Sequence, residues 1–358
     1  MSERVYCLSP GLDVVIKGDA QWEDSIYTYF GDTPVREESM NKSSELLIEL
    51  DSDINTNDMR VSVHPDLSYD SHSFYDSKYD AEYAVNGDDT HLKLNQFGVE
   101  WLKWSMQLAN LRSDQYFIHS SAVEKDGDVI VFPSWGGVGK TTITSGLVKD
   151  LGFNLLGDDL NTITKDSVVY GFPKRMVIYP YHKSVFPEVF DSGDGPPIPN
   201  FLTNPLSRVY HYLRPVLRKY PRLYRYARKK NPQSARVAPS KIFGSERIAR
   251  QGKLDTVVWL ERVPDLNDVV IQKKSTRELI SKIYGSSIVE FKQHCRELTN
   301  IAAGLNMIDA ELLGNRWYNL LTQSLGDIRT VELQIPAELS GSKFTESVYD
   351  EMKNENII

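Results

Sequence analysis

Cysteine is nearly absent from this sequence. Cys7 and Cys295 are the only two in 358 residues, too few and too far apart for a disulfide framework or a cysteine metal site. Long apolar runs are missing as well: no stretch approaches the roughly 20 consecutive apolar residues that span a bilayer. The opening MSERVYCLSPGLDVVIKGDAQWED has no basic flank followed by an apolar run, so no signal peptide is expected and the cytoplasm is the default address. No repeat of solenoid period is visible. The chain is not short of core-forming residues. With 41 % hydrophobic and 25 % charged residues it has the composition of a globular protein, which excludes wholesale disorder.

What is present is an uneven charge distribution. The whole chain carries 41 Lys plus Arg against 49 Asp plus Glu, a formal charge of -8. Residues 1–100 hold 21 acids and 7 bases, a net of -14, whereas residues 205–253 hold 14 bases and the single acid Glu246, a net of +13. Blocks of one sign mark solvated faces or interaction surfaces and say nothing about fold.

A chain of this length exceeds the roughly 250–300 residues at which one core stops growing, so two domains or one enlarged by insertions are expected. Residues 1–95 read as a small β-rich domain. Val14–Ile16, Ser25–Tyr29, Glu45–Glu49 and Arg60–Val63 are short β-forming runs between Gly, Asp, Asn and Pro. Residues 96–114 switch to helical spacing and join this part to the remainder. In 115–358 the elements alternate: strands at Asp128–Phe132, Phe153–Leu156, Ser167–Tyr170, Met176–Tyr179, Thr256–Leu260, Val269–Gln272 and 330–335, with helices at Lys140–Leu151, 276–286, 287–304 and 308–325. That order predicts an α/β fold. A turn-rich, basic and aromatic stretch at about 192–253 interrupts it, with breaks at Pro215 and Pro221, and reads as an insert.

The most informative stretch is VIVFPSWGGVGKTT at 129–142. It keeps the GxxxxGK[ST] pattern except that Ser134 stands where the first Gly belongs. A turn that wraps a polyphosphate must point backbone N–H groups inward, which Gly136, Gly137 and Gly139 allow. The next helix offers its positive end to the phosphates. Lys140 adds a point charge, and the Thr141 hydroxyl is a hard oxygen ligand for Mg²⁺. The strand FNLLG then delivers Asp158 and Asp159. If that strand is parallel to the first, its C-terminal end faces the ligand. One carboxylate there can hold Mg²⁺ and the other can take a proton from an attacking hydroxyl. His119, in IHSSAV, is by itself more often a packed, hydrogen-bonded histidine than a catalytic one.

Read together, IHSSAV, DGDVIVFPSWGGVGKTT and LGFNLLGDDLNTI resemble the nucleotide-binding core of the HPr kinase/phosphorylase family, shared more distantly with phosphoenolpyruvate carboxykinases. The resemblance covers 115–180 and continues weakly in GFPKRMVIYP and LDTVVWLER. It implies a P-loop kinase core with a smaller β-rich N-terminal domain. The nucleotide loop then falls on Ser134, Trp135, Gly136, Gly137, Val138, Gly139, Lys140, Thr141 and Thr142. Thr141 and Asp158 hold the metal, Asp159 is the catalytic base, and His119 matches the histidine before the loop. The departures are Ser134, the bulky Trp135 and the absence of a downstream Glu-Val/Ile-Arg-Gly signature, so HPr itself is not carried over as substrate.

The expected activity is transfer of a phosphoryl group from ATP, or another nucleoside triphosphate, to a hydroxyl on a protein, peptide or small metabolite, with Mg²⁺. A nucleotide-binding regulator or assembly protein without turnover is the alternative. A carboxykinase is a third reading, for which the metal-binding Lys/His set is not found. For residues 205–253 three roles stay open: a solvated excursion, a docking surface for an acidic protein or peptide, and contact with nucleic acid or an acidic membrane through interleaved Arg and Tyr. The patch also suits the acidic N-terminal part of a second copy in a homo-oligomer.

Overall fold

The computed structural model describes residues 2–9, 12–18, 30, 35–36, 45–50, 61–64, 67–70, 72–77, 80–86, 89–94, 99–172, 174–193, 234–290, 293–309 and 311–358. The strand expected at Ser25–Tyr29 and residues 194–233 of the basic stretch lie outside the described residues.

The N-terminal part is strand-rich. It comprises β1 (Ser2–Ser9), β2 (Leu12–Gly18), β3 (Val35–Arg36), β4 (Glu45–Leu50), β5 (Val61–His64), β6 (Leu67–Tyr69), β7 (Ser73–Asp76), β8 (Ala81–Asn86) and β9 (Asp89–Leu94). They form one mixed sheet in the order β3-β1-β2-β4-β9-β8-β7-β6-β5. β2, β4 and β9 run parallel, and the remaining neighbours are antiparallel. β9 shows why one face is buried: in DTHLKL, Thr90, Leu92 and Leu94 alternate inward while Asp89 is exposed.

Helix α1 (Val99–Arg112) packs against this sheet. Trp101, Trp104, Leu108 and Leu111 are fully buried, and of the described positions 101–112 only Lys103 and Arg112 are partly exposed. Ser105, Gln107 and Asn110 are buried as well, so the helix is enclosed on nearly every side even though it is not uniformly apolar. The same hydrophobic cluster runs from β1, β2 and β9 through α1 into the second sheet. Trp104 Nε1 donates to Thr299 Oγ1 at 2.8 Å, and the Phe117 N–H donates to Gln107 Oε1 at 2.7 Å. The joining segment is therefore a packed centre between the two sheets.

The rest is α/β. In chain order it contains β10 (Gln115–Ile118), β11 (Ser120–Lys125), β12 (Asp128–Pro133), α2 (Lys140–Asp150), β13 (Asn154–Gly157), β14 (Asn161–Thr164), β15 (Val168–Gly171), β16 (Met176–Ile178), α3 (Pro187–Asp191), β17 (Ala235–Val237), α4 (Pro239–Phe243), β18 (Gln251–Val263), β19 (Val270–Lys273), α5 (Thr276–Glu290), α6 (Gln293–Gly304), α7 (Trp317–Leu325), β20 (Arg329–Pro336) and α8 (Gly341–Asn354). The sheet order is β10-β14-β15-β18-β12-β11-β13, with β20 beside β18 and β19 beside β20. Alternation along the central strands sorts residues between two cores. Val129 and Val131 of β12 face the cluster shared with α1, while Ile130 and Phe132 face a second cluster with α2 and α8.

One expectation holds in this sheet and another changes. β13 runs in the same direction as β12, with β11 between them and antiparallel to both. Two reversals restore direction, so β12 and β13 still deliver their C-terminal ends to one edge. The insert, however, is shorter than 192–253. Residues 235–253 belong to the fold: β17 pairs with β16, Val237 and Ala238 are buried, and β18 begins at Gln251.

Helix α8 braces α2. Phe344, Val348 and Met352, four apart, are buried against it, and Tyr349 Oη donates to the Ile143 carbonyl at 2.9 Å. A Cβ on Gly146 would lie 1.9 Å from Tyr349 Oη. Gly146→Val is accordingly expected to cost about 1–3 kcal/mol by overpacking, read as a lower urea midpoint. An unchanged midpoint would show that Tyr349 moves aside freely.

Candidate functional site

β12 ends at Pro133, and Ser134 continues it as a single parallel bridge to Leu260. Extended backbone of this kind needs no glycine, which explains how Ser can stand at that position. The turn itself does need it: Gly137 has φ +81° and Gly139 φ +119°. At Gly139 a Cβ would also meet the Phe344 ring at 2.6 Å. Gly139 caps α2 and contributes no side chain, so the first N–H groups of the helix are left to other partners.

Lys140 is 7 % exposed. Its ammonium folds back on the turn, donating to the carbonyls of Ser134 (3.0 Å) and Trp135 (3.2 Å) and to Ser134 Oγ (3.3 Å). Burial holds its pKa below the usual lysine value, against the pull of Asp159 and Asp158. Thr141 Oγ1 lies 3.1 and 3.2 Å from the two Asp158 oxygens. Ser121 Oγ, from β11, donates to Asp158 Oδ1 at 2.5 Å. Asp158 is buried, which raises its pKa; Asp159 adds to the rise and the Ser121 hydrogen bond opposes it.

Asp159 has a left-handed backbone, φ +78°, and its carboxylate meets a different set of partners. Lys174 donates to Oδ2, Lys103 of α1 is 3.8 Å away, and His119 Nε2 is 3.6 Å from Oδ1. Burial alone would raise the Asp159 pKa, but Lys174, Lys103 and His119 outweigh it and hold the carboxyl well below the usual range. The other nitrogen of His119 is 3.3 Å from Glu290, at the end of α5, so the histidine sits between two carboxylates.

His119, Lys140, Thr141, Asp158, Asp159 and Lys174 line one cavity of about 210 Å³. Of the residues singled out from sequence, His119, Gly136, Gly137, Gly139, Lys140, Thr141, Thr142, Asp158 and Asp159 line it. Ser134, Trp135 and Val138 are not in its wall. Ser134 holds Lys140, Trp135 projects outward, and Val138 is buried in the core with its carbonyl accepting from Arg262 Nε at 3.1 Å. The wall also contains residues not singled out from sequence: Lys174, Arg175, Val177, Tyr179, Tyr181 and His182. Lys174 and Arg175 stand in GFPKRMVIYP, but nothing local marks them as partners of a carboxylate fifteen residues earlier. Lys103 and Glu290 lie on helices whose approach only the tertiary fold creates.

The oxygens of Thr141 and Asp158 are hard ligands of the kind Mg²⁺ takes, and this ion needs only one or two protein ligands beside phosphates and water. No cluster of three His, Cys, Asp or Glu suited to a metal occurs among the described residues. Likewise, no helix among the described residues is long and apolar enough to cross a membrane.

Fold and site together define an α/β protein with a glycine-rich strand–turn–helix and an acid pair at one sheet edge. No protein-family profile matches the chain, and no curated protein matches it. Among solved structures, it is similar to the HPr(Ser) kinase/phosphatase from Coxiella burnetii, at 10 % identity and a TM-score of 0.31, over 67 % of this chain and 90 % of that one.

Proposed function

We propose that the protein binds a magnesium nucleoside triphosphate, ATP being the simplest choice, and transfers its terminal phosphoryl group to a hydroxyl. The observation that carries this reading is the convergence of the Gly136–Thr142 turn, Lys140, the Thr141–Asp158 pair and Asp159 on one cavity. In this P-loop-like reading the turn and the α2 N-terminus cradle the phosphates. Lys140 turns from the Ser134 and Trp135 carbonyls to the β- and γ-phosphates. Thr141 and Asp158 hold the metal, which neutralises charge on the phosphate oxygens when bound. Asp159, turned away from that pair, accepts the proton of the acceptor hydroxyl as the new O–P bond forms and the bond to the leaving diphosphate breaks. His119 fixes the Asp159 carboxylate from one side and is itself held by Glu290. The acceptor is a hydroxyl of a peptide, protein or small metabolite; an acidic partner would suit residues 205–253.

A binding-only role draws on one observation: Asp159 is already neutralised by cations, and a carboxylate held that far down is a weak base. Incubation with Mg²⁺ and γ-labelled ATP, with and without cell extract, separates the two. Label transferred to an acceptor in a magnesium-dependent, EDTA-sensitive way is expected. Tight ATP binding with no turnover under any condition would favour the regulator, and absence of ATP binding would remove both readings.

A further inference from the structure

Four large hydrophobic side chains are exposed among the described residues: Trp135 at 44 %, Tyr179 at 38 %, Tyr181 at 67 % and Val289 at 61 %. Two of the three aromatics line the cavity and the third stands in its glycine-rich turn. Tyr179 and Tyr181 are stacked on each other, with ring centroids 5.3 Å apart and planes within 8°. Their support is fixed. They flank Pro180 at the start of a short 3₁₀ turn, Pro180–Ser184. His182 is buried and edge-on to Tyr181 at 4.4 Å, and it accepts the Tyr179 backbone N–H on Nδ1 at 3.3 Å. Phe186, fully buried, closes the far side of His182 edge-on at 5.9 Å. Burial depresses the His182 pKa to about 4, so the support is a neutral ring at neutral pH.

We propose that Tyr179 and Tyr181 form a stacking platform for the base of the nucleotide whose phosphates occupy the cavity, a proposal that rests on the triphosphate reading above. Size gives the first argument. A cavity of about 210 Å³ is smaller than the roughly 300–1,000 Å³ of sites that enclose a whole small molecule. A ligand with its phosphates on Lys140 and Thr141 must carry its nucleoside out to the rim. The second argument is chemical. The rim presents a flat aromatic surface that is already ordered, so a planar ring can stack on it without the cost of ordering flexible side chains. Stacking also reads a ring by its face rather than its edges, so it supports affinity for nucleotides over bare phosphates with little choice among bases.

The test is calorimetric titration of the full chain with magnesium ATP and, separately, magnesium tripolyphosphate. The proteins compared are wild type, Tyr181→Phe, Tyr181→Ala and the double variant Tyr179→Ala/Tyr181→Ala. Both rings are exposed, so the variants should keep the wild-type circular dichroism spectrum. We expect wild type to bind ATP more tightly than tripolyphosphate, and the double variant to lose about 5- to 150-fold in ATP affinity. Its tripolyphosphate affinity should be unchanged, and Tyr181→Phe should behave as wild type. Full ATP affinity in the double variant would overturn the platform. So would an equal loss for ATP and tripolyphosphate, which would make the tyrosines part of the phosphate wall. Wild type binding tripolyphosphate as well as ATP would refute the platform while leaving the triphosphate reading intact. Wild type binding neither would remove both.

Discussion

Lys140→Ala is expected to weaken magnesium ATP binding by about two orders of magnitude. The side chain is buried at the base of the cavity, and its ammonium already directs its hydrogens to the Ser134 and Trp135 oxygens. Phosphate oxygens would replace those acceptors. One charge-assisted hydrogen bond contributes roughly 1.5–3 kcal/mol, and each 1.4 kcal/mol is about tenfold in affinity. The loss should fall chiefly on the ligand, since Lys140 itself lines the cavity. Lys140→Met, which keeps the apolar stem, separates packing from charge. Both variants should titrate alike in calorimetry while retaining the wild-type thermal midpoint. A folded Lys140→Ala protein with unchanged affinity would refute the assignment of the turn to phosphates.

The second large effect is expected at the acid pair. Asp159→Asn keeps shape but removes the proton acceptor, and kcat for phosphoryl transfer should fall by roughly 10²–10⁴-fold, the contribution of a positioned acid–base group. ATP affinity should change far less. Asp158→Asn should instead raise the Mg²⁺ concentration needed for half-maximal rate, because Asp158 shares its position with Thr141. The two carboxylates have different surroundings: Asp158 faces hydroxyls of Ser121 and Thr141, whereas Asp159 faces Lys174, Lys103 and His119. Steady-state kinetics at varied Mg²⁺ distinguishes the assignments. If Asp159→Asn turns over normally while Asp158→Asn is dead, the two carboxylates exchange roles.

Much of this arrangement was legible in the sequence because its signals are local. DVIVFP is an apolar run of strand length, Lys140–Asp150 carries Ile143 and Leu147 four apart, and the glycines between them announce a turn. Asp158 and Asp159 stood out by closing the next apolar run. Strand order was not legible. The run Ser120–Val123 beside His119 gives no local hint that it inserts between β12 and β13, since pairing is decided by non-local contacts. Helix α8, absent from the expected elements, was legible too: Phe344, Val348 and Met352 carry its period, and the acidic and polar residues between them sharpen the amphipathic pattern. The partners of Asp159 were beyond reach for a different reason. Lys103 and Lys174 are ordinary lysines until α1 and the segment before β16 bring them to one carboxylate.

The brace on the glycine-rich turn ties its shape to distant chain. Arg262 donates to Val138 O (3.1 Å), Pro336 O (2.8 Å) and Leu339 O (2.7 Å), and its guanidinium lies over the Phe344 ring at 4.6 Å. That same ring fills the space beside Gly139. The left-handed glycine is thus kept in place from β18 and α8, not by residues 134–142 alone. Opening of the last helix is then expected to loosen the turn with it. Amide hydrogens at 139–143 would exchange at the pace set by α8. A strand–turn–helix that looks like a transferable motif is, in this molecule, held in shape by chain more than a hundred residues away.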